Sequence, residues 1–376
     1  MRVIISAAGT GGHINPGIAI ANKIKEMEPD SEIIFVGTER GLETDLVPRA
    51  GYELKTIDAY GFKKSITIKN MRHIRKTLVS NLKVRKIIKK FKPDVMIGTG
   101  GYVCVPSSIA ALRMKVPLIF HESNAYPGKA VKAFSKWADL ICAGFSDIKQ
   151  YLDPSVKVAV TGNPTKVKKL NLSQEEKNKI IESMGLSTEL PIVFAFGGSQ
   201  GAQSINDALK NLILNNYNKG YQIVWAIGPK NYDLIKKDFA EKNIDLENIE
   251  NVKAMPYAYN MEELYEVADL LVCRSGAMTI TEIAIVGKPA IFIPLPSHSA
   301  NRQVDNAKVL QSIGAADIIL NNDLNCDVLK EKIDNIIFDK ELLIEMGKKA
   351  STKKIEDVDE KIYNEIKNTV EKRRGV

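Results

Sequence analysis

Short runs of consecutive apolar residues alternate along the chain with longer stretches in which apolar positions recur every three or four residues. A run that is apolar at every position suits a strand buried on both faces, and the longer period suits a helix with one face in the core. The runs predict strands at 3–7, 33–36, 95–98, 118–120, 140–143 and 158–160. A second series follows at 192–196, 223–227, 270–273 and 290–293. Strands alternating with amphipathic helices specify βαβ units and parallel sheets, so the fold class is α/β. The same unit starts twice, once from residue 2 and once from residue 191, and each start ends in a glycine loop. The first loop is Gly9-Thr10-Gly11-Gly12-His13 and the second is Gly197-Gly198-Ser199-Gln200-Gly201-Ala202. A strand, a tight turn and a helix N-terminus together form either a plain tight connection or a phosphate site.

A chain of 376 residues is long enough for two domains, each with its own core. The boundary falls at Thr161-Gly162-Asn163-Pro164, because Pro164 removes a donor and holds Asn163 extended. The expected division is 1–163 and 164–346, with a charged helical tail from about 347 to 376 crossing back onto the first domain.

Apolar and charged contents of 44% and 26% are those of a globular protein rather than a disordered or membrane-spanning one. No run reaches the roughly 18 to 20 apolar residues of a membrane span, and the first apolar run lacks the pattern of a signal peptide. The four cysteines (Cys104, Cys142, Cys273, Cys326) are far apart. Three of them, Cys104 included, are read as small hydrophobes in strand-like runs, which fits a reducing cytoplasm. Charge is the uneven feature. From Lys63 to Lys92 there are twelve Lys or Arg and no acid, so with a net charge of +8 the rest of the chain sums to −4. Ile66, Ile68, Met71, Ile74, Leu78, Val79, Leu82, Val84, Ile87 and Ile88 are interleaved with these cations. That mixture suits either a solvated helix face or one lying on an anionic membrane. Nucleic acid is not expected as a partner, because the stretch holds only Phe62 and Phe91 as aromatics and no recognised binding motif.

Candidate chemistry collects at the strand ends. Neither glycine loop has the dinucleotide or P-loop spacing, which argues against a nicotinamide dehydrogenase or a P-loop hydrolase. His13, where the chain turns into a helix, is either a satisfied structural residue or a general base. Gly98-Thr99-Gly100-Gly101-Tyr102 and His121-Glu122-Ser123-Asn124 follow two further strands. They offer amides and short polar groups to an anion, although the His-Glu pair equally suits a capping arrangement. Cys273-Arg274-Ser275-Gly276-Ala277-Met278-Thr279 opens a helix expected from 279, with Glu282 one turn in. That carboxylate is either a favourable helix charge or a partner for two ribose hydroxyls. The segment Ser297-His298 through Asn301, Gln303 and Asn306 is rich in amides, which both donate and accept as sugar recognition requires. Asp357-x-Asp359 lies in the charged tail and is read as chance rather than as a metal site.

These motifs, with Thr161-Gly-Asn-Pro164 and Thr281-Glu-Ile-Ala284, occur in one order over nearly the whole chain. In that order the chain resembles the bacterial N-acetylglucosaminyltransferases that act on undecaprenyl-pyrophosphoryl-muramyl-pentapeptide, the MurG family. The resemblance implies a GT-B fold, two Rossmann-like lobes with a deep interdomain cleft. It implies UDP-N-acetylglucosamine as donor, the undecaprenyl-pyrophosphoryl-muramyl-pentapeptide as acceptor, and no cofactor or metal. By matching positions, the backbone at Ala258 would read uracil and Glu282 would hold the ribose. Ser199 and the turn Ser275, Gly276, Ala277, Met278, Thr279 would bind the diphosphate, with Lys166 a further phosphate contact. Gln303 would read sugar hydroxyls, and Thr10, Gly11, Gly12 and Asn124 would close over the donor. Gly100, Gly101, Tyr102, His121 and Glu122 would face the acceptor, and the stretch from Lys63 to Lys92 would dock on anionic lipid at the cytoplasmic face of the membrane. His13 would take the proton from the muramyl 4-hydroxyl in one inverting displacement.

Three departures from the family pattern are visible. Lys166 replaces an arginine, Ser123 replaces a glutamine, and Ala226-Ile-Gly-Pro229 replaces His-Gln-Thr-Gly. The rival readings are a related GT-B transferase acting on another membrane lipid, a non-catalytic nucleotide-sugar binder, and a nucleic-acid binder.

Overall fold

The computed structural model describes residues 1–61, 67–296 and 302–375, without the side chains of 68–70 and 78. The chain divides into two compact units, Met1–Thr165 with Ile355–Val376, and Lys166–Lys354. In the first unit, strands are β1 (Arg2–Ala7), β2 (Glu32–Gly37), β3 (Glu53–Thr56), β4 (Val95–Gly100), β5 (Leu118–Glu122), β6 (Leu140–Ala143) and β7 (Val158–Val160). Its helices begin with α1 (Gly11–Met27), α2 (Glu43–Arg49), α3 (Ile68–Phe91), α4 (Cys104–Arg113) and α5 (Lys129–Phe134). In the second unit, strands are β8 (Ile192–Phe196), β9 (Gln222–Ala226), β10 (Val252–Met255), β11 (Leu270–Cys273), β12 (Ala290–Phe292) and β13 (Ala316–Ile318). Its helices are α6 (Gln174–Ser183), α7 (Gln203–Leu214), α8 (Pro229–Ala240), α9 (Met261–Val267), α10 (Ala277–Val286), α11 (Arg302–Gln311), α12 (Cys326–Ile337) and α13 (Lys340–Ser351). The last helix, α14 (Val358–Arg374), belongs to the first unit.

Both sheets are parallel and share one strand order. The first runs β3-β2-β1-β4-β5-β6-β7 and the second β10-β9-β8-β11-β12-β13. In each, order reverses beside the first strand of the unit, between β1 and β4 and between β8 and β11. At such a switch point two neighbouring connections leave in opposite directions and open a crevice at the strand C-termini. The duplicated start read from the sequence is therefore a duplicated topology.

In the first unit the sheet has a core on each face. Ile5, Ile14, Ile24 and Phe35 pack with Ile362 and Ile366 of α14 on one side. Ile4, Met96, Phe120 and Val84 of α3 pack on the other. Strands buried on both faces explain why the central ones read as unbroken apolar runs. Cys104 is a correction: it is not in a strand but opens α4, where its buried thiol donates to the carbonyls of Ser6 and Gly100. The tail also differs in detail. Helix α13 packs on α10 within the second unit, where Gly347 lies against the carbonyl of Gly287. Only from Ile355 does the chain rejoin the first unit, where Tyr363 Oη donates to Glu28.

The distant tail is thus part of the first unit's core. Ile366 is fully buried, so Ile366→Ala should lower the stability of this unit by about 2–4 kcal/mol through lost transfer energy and an unfilled cavity. Urea unfolding followed on the tail-containing unit measures this directly.

Candidate active site

Three helix N-termini follow the two glycine loops and the Ser275-Gly276 turn at strand C-terminal ends. Helices α1, α7 and α10 start at Gly11, Gln203 and Ala277, with no side-chain cap and no acidic residue in the first turn. Helices α4, α5 and α8 share that lack, whereas three others carry side-chain caps. Ser173 and Glu176 form a capping box on α6, Asn325 caps α12, and Asp339 caps α13. Bare first-turn amides and the helix dipole together attract an anion.

In the first unit the loop between β1 and α1 carries His13. Its Nδ1 lies 3.0 Å from the carbonyl oxygen of Ala8. A carbonyl only accepts, so Nδ1 carries the proton and Nε2 keeps its lone pair. The ring rests against Gly100. A Cβ there would stand 2.3 Å from His13 Cδ2, and Gly100 has a φ of +135°. Between Ser6 and Ala7 the pairing of β1 with β4 slips, so Ser6 faces Gly98 and Ala7 faces Gly100. The residue skipped is Thr99, whose hydroxyl donates to the His13 carbonyl at 2.7 Å. Gly101 passes so close that a Cβ would meet the Ala8 carbonyl oxygen at 2.4 Å. Gly100 and Gly101, expected as acceptor contacts, thus also seat the His13 loop. Tyr102 is half-buried just before α4, and Thr10 is the N-cap residue of α1.

His121 and Glu122 depart from the sequence expectation, because both are spent on the protein. His121 is buried at the end of β5, with Nε2 3.3 Å from the Gly162 carbonyl. Burial pushes its pKa down to about 4, against the opposing hydrogen bond to Gly162. Glu122 Oε1 accepts from the backbone and side-chain nitrogens of Asn124, and Oε2 accepts from Gly128 N at 2.6 Å. Asn163 Nδ2 donates to the Ser123 carbonyl at 3.0 Å. These residues lock the β5 loop to the turn after β7 and present Asn124 rather than themselves.

In the second unit a cavity of about 520 Å³ is lined by Gly197, Gly198, Gly201, Arg274, Thr279 and Gln303, among others. Gly201, at a φ of +75°, approaches β9 so closely that a Cβ would stand 2.0 Å from the Ile227 carbonyl oxygen. Ser199 is exposed at the tip of the same loop. Helix α10 begins at Ala277 rather than at the expected Thr279, with Gly276 as its N-cap and Met278 and Thr279 in the first turn. Ser275 is fully buried, so its hydroxyl is not offered outward. It donates to the Gln303 carbonyl at 2.7 Å, while Asn306 Nδ2 donates to the Ser275 carbonyl. Gln303 Oε1 accepts from Leu295 N at 2.8 Å. One further turn along α10, Glu282 accepts a hydrogen bond from the buried Tyr265 hydroxyl at 3.0 Å. Ala258 is buried in the loop between β10 and α9, flanked by Tyr257 and Tyr259 with ring centroids 4.9 Å apart. Lys166 is exposed at the start of the unit. The expected sugar-reading residues His298 and Asn301 lie outside the described residues.

Arg274 was not singled out from the sequence as a site residue. Its guanidinium donates to the carbonyls of Ile293 and Pro294, to Asn321 Oδ1 and to Ser204 Oγ. All of these acceptors are neutral, so a cation faces the cavity with no carboxylate in contact among the described residues. Its place directly after a predicted strand and before a small-residue turn was the available signal.

The basic stretch also takes shape. On α3, Thr77, Ser80, Asn81, Val84 and Ile88 are buried. The opposite arc exposes Met71, Val79 and Leu82 beside Arg72, Arg75, Lys83, Lys86, Lys89 and Lys90. Among the described residues no helix is long and apolar enough to cross a membrane.

Comparison with known proteins adds the following. The family model described as the glycosyltransferase family 28 N-terminal domain matches residues 3–142, and that for the family 28 C-terminal domain matches residues 192–362. A protein of Ruminiclostridium cellulolyticum is named UDP-N-acetylglucosamine--N-acetylmuramyl-(pentapeptide) pyrophosphoryl-undecaprenol N-acetylglucosamine transferase. It is 40% identical over 98% of this chain and 100% of its own length. A protein of the same name from Acetivibrio thermocellus is 41% identical over 98% of each. Among solved structures, the MurG of Acinetobacter baumannii superposes with a TM-score of 0.80 at 26% identity, covering 98% of this chain and 99% of that one. The calicheamicin glycosyltransferase CalG4, at 12% identity and a TM-score of 0.69 over 98% of each chain, shares the fold alone.

The buried His121 generates a stability prediction. The unfolded chain takes up a proton near pH 6.5, whereas the folded one does so only near 4. Stability should therefore fall as pH drops from 6.5 to 4, by an amount on the order of 3 kcal/mol. In His121→Gln this part of the pH dependence should vanish, which urea unfolding at several pH values between 7 and 4 would show.

Proposed function

The chain belongs to glycosyltransferase family 28, and we propose that it transfers N-acetylglucosamine from UDP-N-acetylglucosamine to the 4-hydroxyl of undecaprenyl-pyrophosphoryl-muramyl-pentapeptide. The observation that carries the chemical part of this reading is the His13 ring. With Nδ1–H given to the Ala8 carbonyl, Nε2 is the base that removes the hydroxyl proton as oxygen attacks the anomeric carbon. The bond from that carbon to the UDP oxygen breaks on the opposite face, and the configuration inverts. The departing diphosphate is stabilised by first-turn amides of α7 and α10, with Arg274 as a fixed positive charge and Ser199 and Lys166 as further contacts. Glu282, oriented by Tyr265, accepts the ribose hydroxyls. The Ala258 backbone meets uracil, and Gln303 reads the sugar. Thr10, Gly11, Gly12 and Asn124 contribute to donor binding from the first unit, and Gly100, Gly101 and Tyr102 border the acceptor.

The mixed face of α3 fits the second substrate. Its cations attract an anionic leaflet, and Met71, Val79 and Leu82 enter the interface. The chain thus works as a peripheral protein at the cytoplasmic face of the cell membrane.

Two measurements test these readings. With UDP-N-acetylglucosamine and a short-chain pyrophosphoryl-muramyl-pentapeptide lipid, UDP release should depend on the acceptor, and His13→Ala should lower kcat by roughly 10²–10⁴-fold at saturating substrates. Turnover independent of acceptor, or an unimpaired His13→Ala, overturns the assignment. For the membrane, co-sedimentation with vesicles containing phosphatidylglycerol should be strong at low salt and weak with neutral vesicles. Replacing Val79 and Leu82 by serine should reduce it while leaving solution turnover of the short-chain acceptor intact. Equal binding to neutral vesicles would refute the electrostatic part.

A further inference from the structure

One buried carboxylate lies behind the His13 loop without contacting any ligand-facing group. Glu43, the first residue of α2, is fully buried. Its Oε1 accepts from Thr38 N at 3.0 Å and from Thr38 Oγ1 at 2.7 Å, and its Oε2 accepts from Gly9 N at 2.9 Å. No Lys or Arg pairs with it among the described residues. Burial alone, the largest influence, would raise its pKa, but the hydrogen bonds from Gly9 and Thr38 outweigh it and hold the group below the usual carboxylate range. It therefore stays ionised where the loop needs it. The surrounding chain makes room for it. A Cβ on Gly41 would stand 2.0 Å from Oε2, and one on Gly37 would stand 2.8 Å from Cγ.

The bond to Gly9 has a consequence at His13. Gly9 N–H and the Ala8 carbonyl are the two ends of one planar peptide unit. Glu43 holds the N–H end, and His13 Nδ1 donates to the carbonyl end. We propose that Glu43 is a positioning residue that fixes the orientation of the Ala8–Gly9 peptide and, through it, the tautomer of His13. A carboxylate accepts an N–H but repels a carbonyl oxygen, so it admits only one orientation of this peptide. Were the peptide to flip, its N–H would face the imidazole. His13 would then accept at Nδ1, carry its proton on Nε2 and lose the lone pair that acts as base. The same carboxylate polarises the peptide and makes the Ala8 oxygen a stronger acceptor for Nδ1–H. It plays this part across a peptide bond, as the third member of a catalytic triad does by direct contact. No proton passes through the peptide.

The inference rests on the transferase reading for its kinetic arm and stands apart from it for the spectroscopic one. Glu43→Gln is the informative change, because a carboxamide offers both a donor and an acceptor and tolerates either peptide orientation. Gly41→Ala displaces the carboxylate without removing its charge. Ile366→Ala, in the core of the same unit, serves as the destabilised control. With ¹⁵N-histidine labelling, the four histidines give few enough signals to assign His13 by its absence in His13→Ala. In the native protein His13 should show a protonated Nδ1 and a bare Nε2, and Glu43→Gln should show a mixture or the reverse. In turnover, Glu43→Gln and Gly41→Ala should lower kcat by roughly tenfold to a thousandfold. The KM for UDP-N-acetylglucosamine should stay within about twofold, and Ile366→Ala should keep its kcat.

An unchanged His13 spectrum in Glu43→Gln overturns the proposal, as does an unchanged kcat, or a loss no greater than in Ile366→Ala. Should Glu43→Gln fail to fold, Gly41→Ala decides by the same two readouts. If the native chain shows no acceptor-dependent turnover, the transferase reading falls and the kinetic arm with it. If native turnover is present and Glu43→Gln leaves it intact, only this inference falls.

Discussion

The two glycine loops, His13 and Arg274 are placed by parallel strand pairing at two switch points, β1 beside β4 and β8 beside β11. A parallel sheet requires each strand to be followed by a crossover, so all strand C-termini, and the helix N-termini that follow them, lie along one edge. Reversal of strand order at β1/β4 and β8/β11 opens the crevice that neighbouring connections would otherwise fill. The slip that leaves Thr99 out of the β1/β4 ladder is part of the same constraint. It lets Gly100 pass beneath the His13 ring while the Thr99 hydroxyl holds the His13 carbonyl. Remove the pairing, and neither the loops nor the bare amides at their ends have a fixed position.

The helix starts differ in their capping groups. Acidic and hydroxylic caps stabilise helix starts such as those of α6, α12 and α13. Helices α1, α7 and α10 lack them, as do α4, α5 and α8, although a cap contributes about 1 kcal/mol. Bare first-turn amides are groups that an anionic ligand would satisfy, and binding of that kind stabilises the folded state. Buried polar residues fasten the loops around these helix starts. Glu122 and Asn163 fasten the β5 loop, and Asn206 Nδ2 donates to the Ile227 carbonyl while Trp225 Nε1 donates to Asn206 Oδ1 beneath the second glycine loop.

The central strands could be read from the chain because they are buried on both faces and carry no polar interruption. The strands not read were β3, β10 and β13. All three are sheet edges, where sequences such as Glu53-Leu-Lys-Thr56 alternate with polar residues and look like loops. The glycine loops and His13 were legible because φ > 0 and close backbone approach need a particular residue at a particular place. Hydrogen-bond partners were not, since they join residues far apart in sequence. His121 looks like a ligand contact until Gly162 is seen to occupy it. Arg274 looks like one more polar residue in a turn until four neutral acceptors are seen around it. Glu43 carried no signal at all, because a glutamate in the first turn of a helix is what helix electrostatics favours anyway.

The two halves therefore share a topology but not an electrostatic design. In the first unit the loop before α1 is backed by an anion. Glu43 takes the Gly9 amide, which leaves the amides of Gly11 and Gly12 for a ligand and turns the Ala8 carbonyl toward His13. In the second unit the equivalent loop, before α7, is backed by a cation. Arg274 reaches Ser204 at the start of α7, and a positive charge behind a phosphate site favours a leaving diphosphate. The duplicated topology thus carries charges of opposite sign behind its two glycine loops.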